Sequence, residues 1–363
     1  MKITVFGLTI SSSWGNGHAT PYRAILKALR NEGHEIHFFE RDVPYYARHR
    51  DFDGAGCCDL HLYSDWQAVR SSALDQAHDS DVVICASFCP EGSRITDDIL
   101  DLSGPVRVFY DLDTPVTLGA LERNDVEYLR HDQIPEFDLY LSFTGGGTLD
   151  ELTSRWRARL ALPLYGCVDP EAHRRTVSRP DFGCDLSYMG TYATDRQEKV
   201  EALFLDPARR MADKAFVLAG SQYPWEWQWP ENVKRFDHVW PGDHSALYSS
   251  SRLTLNITRR EMTRWGCCPS SRFFEAAACE TPIVTDWFEG LDNFFDCQRE
   301  LLVVENADDV IEVLKLSNAD LRQIADRAWE RTLSEHTGEQ RARDLIHAIE
   351  TARTRTRARG EVA

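Results

Sequence analysis

Two groups of residues have the types and spacing for chemistry. In the first, Pro269-Ser270-Ser271-Arg272-Phe273-Phe274-Glu275-Ala276-Ala277-Ala278 reads as a turn into a helix with charge near its start. The first turn of a helix carries free N–H groups and the positive end of the dipole, so it attracts anions. Arg272 adds a guanidinium fork with the same preference. Glu275 places a carboxylate one turn later. The second group is Gly15-Asn16-Gly17-His18, in a long loop after the first apolar run, with Asp111 and Asp113 after a later one. An imidazole ordinarily titrates near working pH and suits a general base. Asp111 or Asp113 could pair with His18 or bind an acceptor. Equally, His18 could only orient its loop, and Asp111-Leu112-Asp113 could form an Asx-type turn before Pro115.

Elements of alternating type must position these residues. Ile3–Phe6, Glu35–Phe39, Asp81–Cys85, Val106–Tyr110 and Leu139–Phe143 are short apolar runs separated by helical spacing, as in Ile25, Leu26 and Leu29. Short strands alternating with helices predict a parallel sheet covered on both faces. Residues 166–184 hold Gly166, Pro170, Pro180 and Gly183 and read as a linker. A second alternating series follows, with runs that end at Gly190-Thr191, Gly220-Ser221 and Thr258-Arg259. Small residues at strand ends let backbone approach a phosphate or a base, and Arg196 and Arg259 are candidate cations beside them. Ligands of such sheets bind outside the carboxyl ends of the strands. Trp225, Trp227 and Trp229 alternate and either cover the domain or stack on a ligand.

Composition limits the function classes. Lys plus Arg is 41 and Asp plus Glu is 58, so the net charge is 41 − 58 = −17. That balance argues against general nucleic-acid binding or an anionic-membrane partner. No apolar run approaches the length of a membrane span. The ten cysteines include no Cys-x-x-Cys and fit neither a zinc site nor a disulfide framework. Buried thiols in a reducing, cytoplasmic setting are expected.

Taken together, Gly15–Pro21, Phe39–Asp42, Tyr110–Pro115, Leu186–Tyr192, Leu255–Arg259 and Pro269–Val284 resemble the CgeB-like, spore-maturation-protein-type branch of GT-B glycosyltransferases. The likeness runs from the N-terminus to Glu335-His336-Thr337. It implies an α/β GT-B fold with two Rossmann-like domains facing across a cleft, and C-terminal helices. The expected division is an acceptor domain over 1–165, a linker over 166–184 and a donor domain over 185–339. A helix over about 340–352 would pack back on the first domain, and 353–363 would be a disordered basic tail. The resemblance places a nucleotide sugar on the second domain, its diphosphate on Ser270, Ser271 and Arg272 and its ribose on Glu275. Gly190, Thr191, Arg196, Gly220, Ser221, Thr258 and Arg259 would complete the donor side, with Gly15, Asn16 and Gly17 on the acceptor side. His18, Asp111 and Asp113 would be catalytic.

The implied activity is transfer of a sugar, of hexosyl type, to a small molecule, glycan or protein. No metal and no cofactor beyond the nucleoside diphosphate sugar is expected, because the phosphate-holding features lie in the opposite half from Asp111 and Asp113. Two positions depart from the wider pattern: Cys267 stands where many GT-B enzymes carry a second Glu, and Glu280 stands in place of Gly. Two other readings stay open. One is an NAD- or flavin-dependent oxidoreductase using Gly15, Gly17 and Glu40. The other is a non-catalytic nucleotide-sugar-binding protein.

Overall fold

The computed structural model describes residues 1–224 and 226–360. Trp225 and residues 361–363 of the expected tail lie outside the described residues. The chain forms two compact units, Met1–Gly166 with the segment from Gly338, and Cys167–Thr337.

The first unit has a seven-stranded sheet. Its strands are β1 (Lys2–Gly7), β2 (Glu35–Arg41), β3 (Asp59–Tyr63), β4 (Val82–Ala86), β5 (Val106–Asp111), β6 (Leu139–Ser142) and β7 (Ala161–Pro163), in the order β3-β2-β1-β4-β5-β6-β7. Every neighbouring pair is parallel. All five residues of Val82–Ala86 are buried, because helices cover both faces and leave no polar side. The helix Ala19–Asn31 buries Tyr22, Ile25, Leu26 and Leu29 on one face, the 3.6-residue stripe that makes it amphipathic.

The helix Gly338–Gly360 belongs to this unit and crosses Ala19–Asn31 closely: a Cβ on Gly338 would overlap the Ala24 carbonyl. The tail expected as disordered from 353 is therefore helical as far as 360. Ala352 is buried and Arg353 pairs with Asp81 at 3.1 Å, so the packing face continues past the point where Arg-rich composition suggested fraying.

The second unit has six strands: β8 (Leu186–Met189), β9 (Phe216–Ala219), β10 (Val233–Phe236), β11 (Thr254–Asn256), β12 (Ile283–Thr285) and β13 (Leu302–Val303). Their order is β10-β9-β8-β11-β12-β13, again all parallel. The chain builds outward from β8 to β10 and then returns to place β11 on the other side of β8. This reversal is the switch point where such sheets leave a crevice at their carboxyl ends. In the first unit the reversal lies between β1 and β4.

Residues 167–184, expected within a linker, are packed into the second unit. Ser249 and Ser250 on the helix Pro241–Ser250 accept hydrogen bonds from the Thr176 and Arg179 N–H groups at 3.0 and 2.7 Å, and Phe182 is buried. Pro and Gly prevent regular structure there, but side-chain hydroxyls satisfy the backbone instead. Among the described residues no helix is long and apolar enough to cross a membrane.

Candidate functional site

The chemistry-bearing residues fall at strand ends of each unit. In the second, Gly190 follows β8 and Gly220 follows β9. The Gly190 N–H donates to the Ala219 carbonyl at 2.8 Å. A Cβ on Gly220 would overlap the Gly190 carbonyl, and one on Gly190 would stand 2.9 Å from Arg272 Nη1. Glycine is required here because two backbones and a guanidinium converge. Tyr192 N–H donates to the Ser221 carbonyl at 2.9 Å, which ties the Thr191 and Ser221 turns together.

Three arginines surround these turns. Arg196, in the helix Thr194–Val200, is only 7% exposed and donates to the Thr191 carbonyl. Its Nε has no hydrogen-bond partner among the described residues. Burial lowers its pKa, and the neighbouring Arg272 and Arg259 guanidiniums lower it further, against Tyr188 and Tyr223. Arg272 donates through Nη1 to the Met189 carbonyl and through Nε to Ser270 Oγ at 2.9 Å. Ser270 caps the helix Ser271–Ala278 and also accepts from the Arg272 N–H. Arg259, after β11, donates to Asp195 at 3.2 Å. Arg259 is thus ion-paired, whereas the buried Arg196 has cationic neighbours and no carboxylate partner among the described residues, a partner that an anion would supply.

Glu275 lies one turn into the same helix and is 4% exposed. Burial raises its pKa, opposed by His244, Arg272 and the Tyr248 phenol. The Thr258 N–H donates to Asp286 at 2.9 Å, and Lys199 pairs with that carboxylate. Thr258 is therefore held by the protein, although its Oγ1 has no partner among the described residues. Cys267 sits at φ 42° with its Sγ close to Asn293, and burial raises its thiol pKa. It cannot stand in for a carboxylate. Trp227 and Trp229 pack on Tyr192, Tyr223 and the core beneath, so they cover the unit.

In the first unit, His18 Nε2 lies 2.5 Å from Asp113 Oδ2. A carboxylate only accepts, so Nε2 carries the proton and a neutral ring leaves Nδ1 as the base. Nδ1 has no hydrogen-bond partner among the described residues. Asp113 precedes the helix Thr114–Glu122 and His18 precedes Ala19–Asn31, so two helix starts bring the pair together.

Asp111 is not part of that pair. It is fully buried at the end of β5 and accepts from Tyr140 at 2.6 Å, Thr117 at 2.8 Å and the Asp113 N–H at 3.2 Å. Burial pushes its pKa up to about 6 in spite of these bonds. Asn16, expected on the acceptor side, is a loop staple: it donates to the Thr9 and Ser12 carbonyls and accepts from the His18 N–H at 3.0 Å. Gly15 has φ +59°, whereas a Cβ on Gly17 would meet nothing within 4 Å.

Glu40 accepts four hydrogen bonds, from Thr9 Oγ1, Ile10 N and both the N and Oγ of Ser11. These fill the lone pairs of a carboxylate, which leaves no place for the ribose of a dinucleotide. Sequence reasoning missed Tyr248, His244 and His173 altogether. The one signal for His244 was its place just after Pro241, in the first turn of a helix.

Two six- or seven-stranded parallel sheets, each with a switch point, match solved structures over nearly the whole chain. An alpha-glucosyltransferase in complex with UDP has a TM-score of 0.74 at 14% identity, over 96% of this chain and 100% of that one. The fold is GT-B. Sucrose-phosphate synthase from Thermosynechococcus elongatus shares it with a TM-score of 0.66 at 11% identity, over 97% and 98% of the two chains. So does Anabaena HepE in complex with UDP and glucose, at 0.63 and 11% over 97% and 100%. Residues 196–347 match a family model described as Glycosyl transferase-like, a stretch that holds the three arginines and Glu275. No curated protein matches the sequence.

Proposed function

We propose that this chain is a glycosyltransferase of the CgeB-like type that moves a hexosyl group from a nucleoside diphosphate sugar to an acceptor. The observation that carries the reading is the cluster of Arg196, Arg259 and Arg272 near the Gly190 and Gly220 turns, one helical turn from Glu275, in which Arg259 pairs with Asp195 and the buried Arg196 has no carboxylate partner among the described residues. Preorganised donors aimed where charge develops stabilise a departing diphosphate. Arg272 and the capped start of Ser271–Ala278 bind it, Arg196 supplies its free Nε–H, and Glu275 accepts from ribose hydroxyls. The UDP in the alpha-glucosyltransferase and HepE structures supports a donor of this class.

On the first unit, His18 is the base. Asp113 holds its protonated Nε2, and Nδ1 takes the acceptor hydroxyl proton as that oxygen attacks the anomeric carbon and the diphosphate leaves. Such a displacement inverts the configuration. Charge on the leaving group is balanced by guanidiniums, so transfer is metal-independent. Cys58, Cys85, Cys89 and Cys279 are buried free thiols, which suits a reducing cytoplasm.

A thermal-shift screen of nucleoside diphosphates and their sugars tests the reading, because a ligand of the native state raises the apparent Tm by mass action. A selective rise with one nucleoside diphosphate and its sugars, followed by donor hydrolysis, is the expected result. No rise with any of them refutes it.

A further inference from the structure

The second unit carries a groove that the nucleotide reading leaves unused. The helical segment after β8 gives it Gln197, Glu201, Leu205 and Arg209, and the loop before β10 gives it Trp227 and Trp229. Its volume is about 580 Å³, within the roughly 300–1,000 Å³ of small-molecule sites, and it is open along one side. Arg196, next to Gln197 in the chain, is not in the lining and bonds the Thr191 carbonyl instead. The groove is therefore separate from the guanidinium cluster.

The spacing of the four helical residues has a structural cause. They stand four apart, which in an α-helix overshoots one turn by roughly 40° at each step, so such a row winds off its face. Glu201–Leu205 is instead a turn of π-helix between Thr194–Val200 and Asp206–Arg210. Its wider i→i+5 turn takes more than four residues, so the same step falls short of a full turn and offsets the drift. The row stays on one side, and Arg209 pairs with Glu201 along it. Such π turns are rare and concentrate at functional sites. Trp227 and Trp229 cover the core with part of their surface and line the groove with the rest. Among the described residues Tyr192 and Tyr223 meet Trp227 at 82° and 65° and Trp229 meets it at 41°, so no ring lies flat on it. The Arg235 guanidinium already lies over Trp229.

The polar groups around this indole are mixed. Glu201 and Glu226 only accept hydrogen bonds, Arg209 only donates, and Gln197 and Gln228 do both. On the lining side chains Gln197 Oε1, an acceptor, and Trp229 Nε1, a donor, are buried and find no partner among the described residues. A cation would bring donors alone and meet Arg209, and a phosphate would bring acceptors alone and meet the carboxylates. A hydroxyl both donates and accepts, and a sugar ring sets its hydroxyls around an apolar C–H face that suits an indole. We propose that this groove is a carbohydrate site outside the transfer site. It holds a neutral oligosaccharide with Trp227 as the platform, while the row from Gln197 to Arg209 bonds the hydroxyls. The open side lets a chain run through, where a closed pocket would take one sugar. None of these residues is assigned to the nucleotide, so the proposal goes beyond the glycosyltransferase reading and does not depend on it.

The test is calorimetry on the full chain with maltohexaose, cellohexaose and xylohexaose, and with choline chloride as the cationic comparison. At least one hexasaccharide should bind, more tightly than its monosaccharide. Trp227→Leu should weaken that binding roughly 10- to 30-fold, the loss on truncating an aromatic anchor. Trp227 also packs on the core, so circular dichroism checks the fold of this variant. Gln228→Ala, at an exposed position, gives a second reading and should weaken binding about fivefold, the loss of one hydrogen bond. Affinity for UDP, GDP and ADP should be the same in both variants as in the wild-type protein. No binding of any hexasaccharide, binding of choline alone, or unchanged saccharide affinity in Gln228→Ala and in folded Trp227→Leu overturns the proposal. Failure of every nucleotide to bind the wild-type protein refutes the glycosyltransferase reading and not this one.

Discussion

Replacing Arg196 with Met should separate binding from stability. A guanidinium has five N–H donors, and in Arg196 one group bonds the Thr191 carbonyl while Nε stays unpaired. The side chain is 7% exposed, so a phosphate that meets it does so with little competing water. A charged hydrogen bond of this kind contributes about 1.5–3 kcal/mol. Loss of one should therefore raise Kd for the nucleoside diphosphate about 10- to 150-fold. Stability should respond differently. Breaking a buried ion pair costs about 3–5 kcal/mol, because it strands the partner charge. Arg196 has cationic neighbours instead, since Arg272 and Arg259 both disfavour its charge. Its removal relieves repulsion and loses only the bond to Thr191, about 1 kcal/mol. Calorimetry reads the first quantity and urea denaturation the second. Arg196→Lys, which keeps charge without the fork, should bind between wild type and Met. Unchanged nucleotide affinity in the Met variant, or a loss of 3 kcal/mol or more in stability, would refute the reasoning.

Other expected outcomes test separate parts of the site. Glu275→Ala should weaken nucleoside-diphosphate binding by roughly 1–3 kcal/mol while the protein stays folded; unchanged affinity by calorimetry removes Glu275 from the site. His18→Asn keeps hydrogen bonding but cannot act as a base, so turnover should drop roughly 10²- to 10⁴-fold with donor affinity unchanged. A rate within about threefold of wild type, a margin far below that of general base catalysis, ends the base assignment. Activity should survive EDTA; full loss with rescue by Mn²⁺ or Mg²⁺ would instead make a metal part of the machinery. Asp111 titrates near 6 when folded and lower when unfolded, so the native state binds the extra proton between these values. Its contribution should thus fall as pH rises from about 4 to 6, by roughly 3 kcal/mol at about 1.4 kcal/mol per pH unit. Urea denaturation of Asp111→Asn should show that part of the slope gone; a slope identical to wild type would refute the raised value.

Local pattern was enough to identify most of the elements and the start of the helix Ser271–Ala278. Short apolar runs with no polar alternation could only be strands buried on both faces. Ser270 before Arg272 and Phe273 marked a capped helix start, and Gly190 and Gly220 marked close backbone approach. The aspartates could not be told apart in this way. They stand two residues apart, yet Asp111 ends β5 inside the sheet against Tyr140 and Thr117, while Asp113 precedes a helix and reaches His18. Which of two neighbouring carboxylates is buried depends on strands paired far along the chain.

The same limit explains the other differences. Glu40 looked available to a ligand, but the loop at 9–11 folds back to use all its lone pairs. The Arg-rich end is helical because Ala352 and Arg353 meet the first unit's surface, a contact that composition does not report. Periodicity and turn chemistry are properties of neighbours in sequence, so the sequence by itself determined the alternating strands, the helix starts and the residue types available for phosphate binding. Neighbours in space decided the rest. The return of the chain from β10 to β11 set Arg259 beside Arg196, and the packing of residues 167–184 carried His173 to His244 and Glu275. Such pairings depend on burial energies summed over whole sheets, which no local window contains.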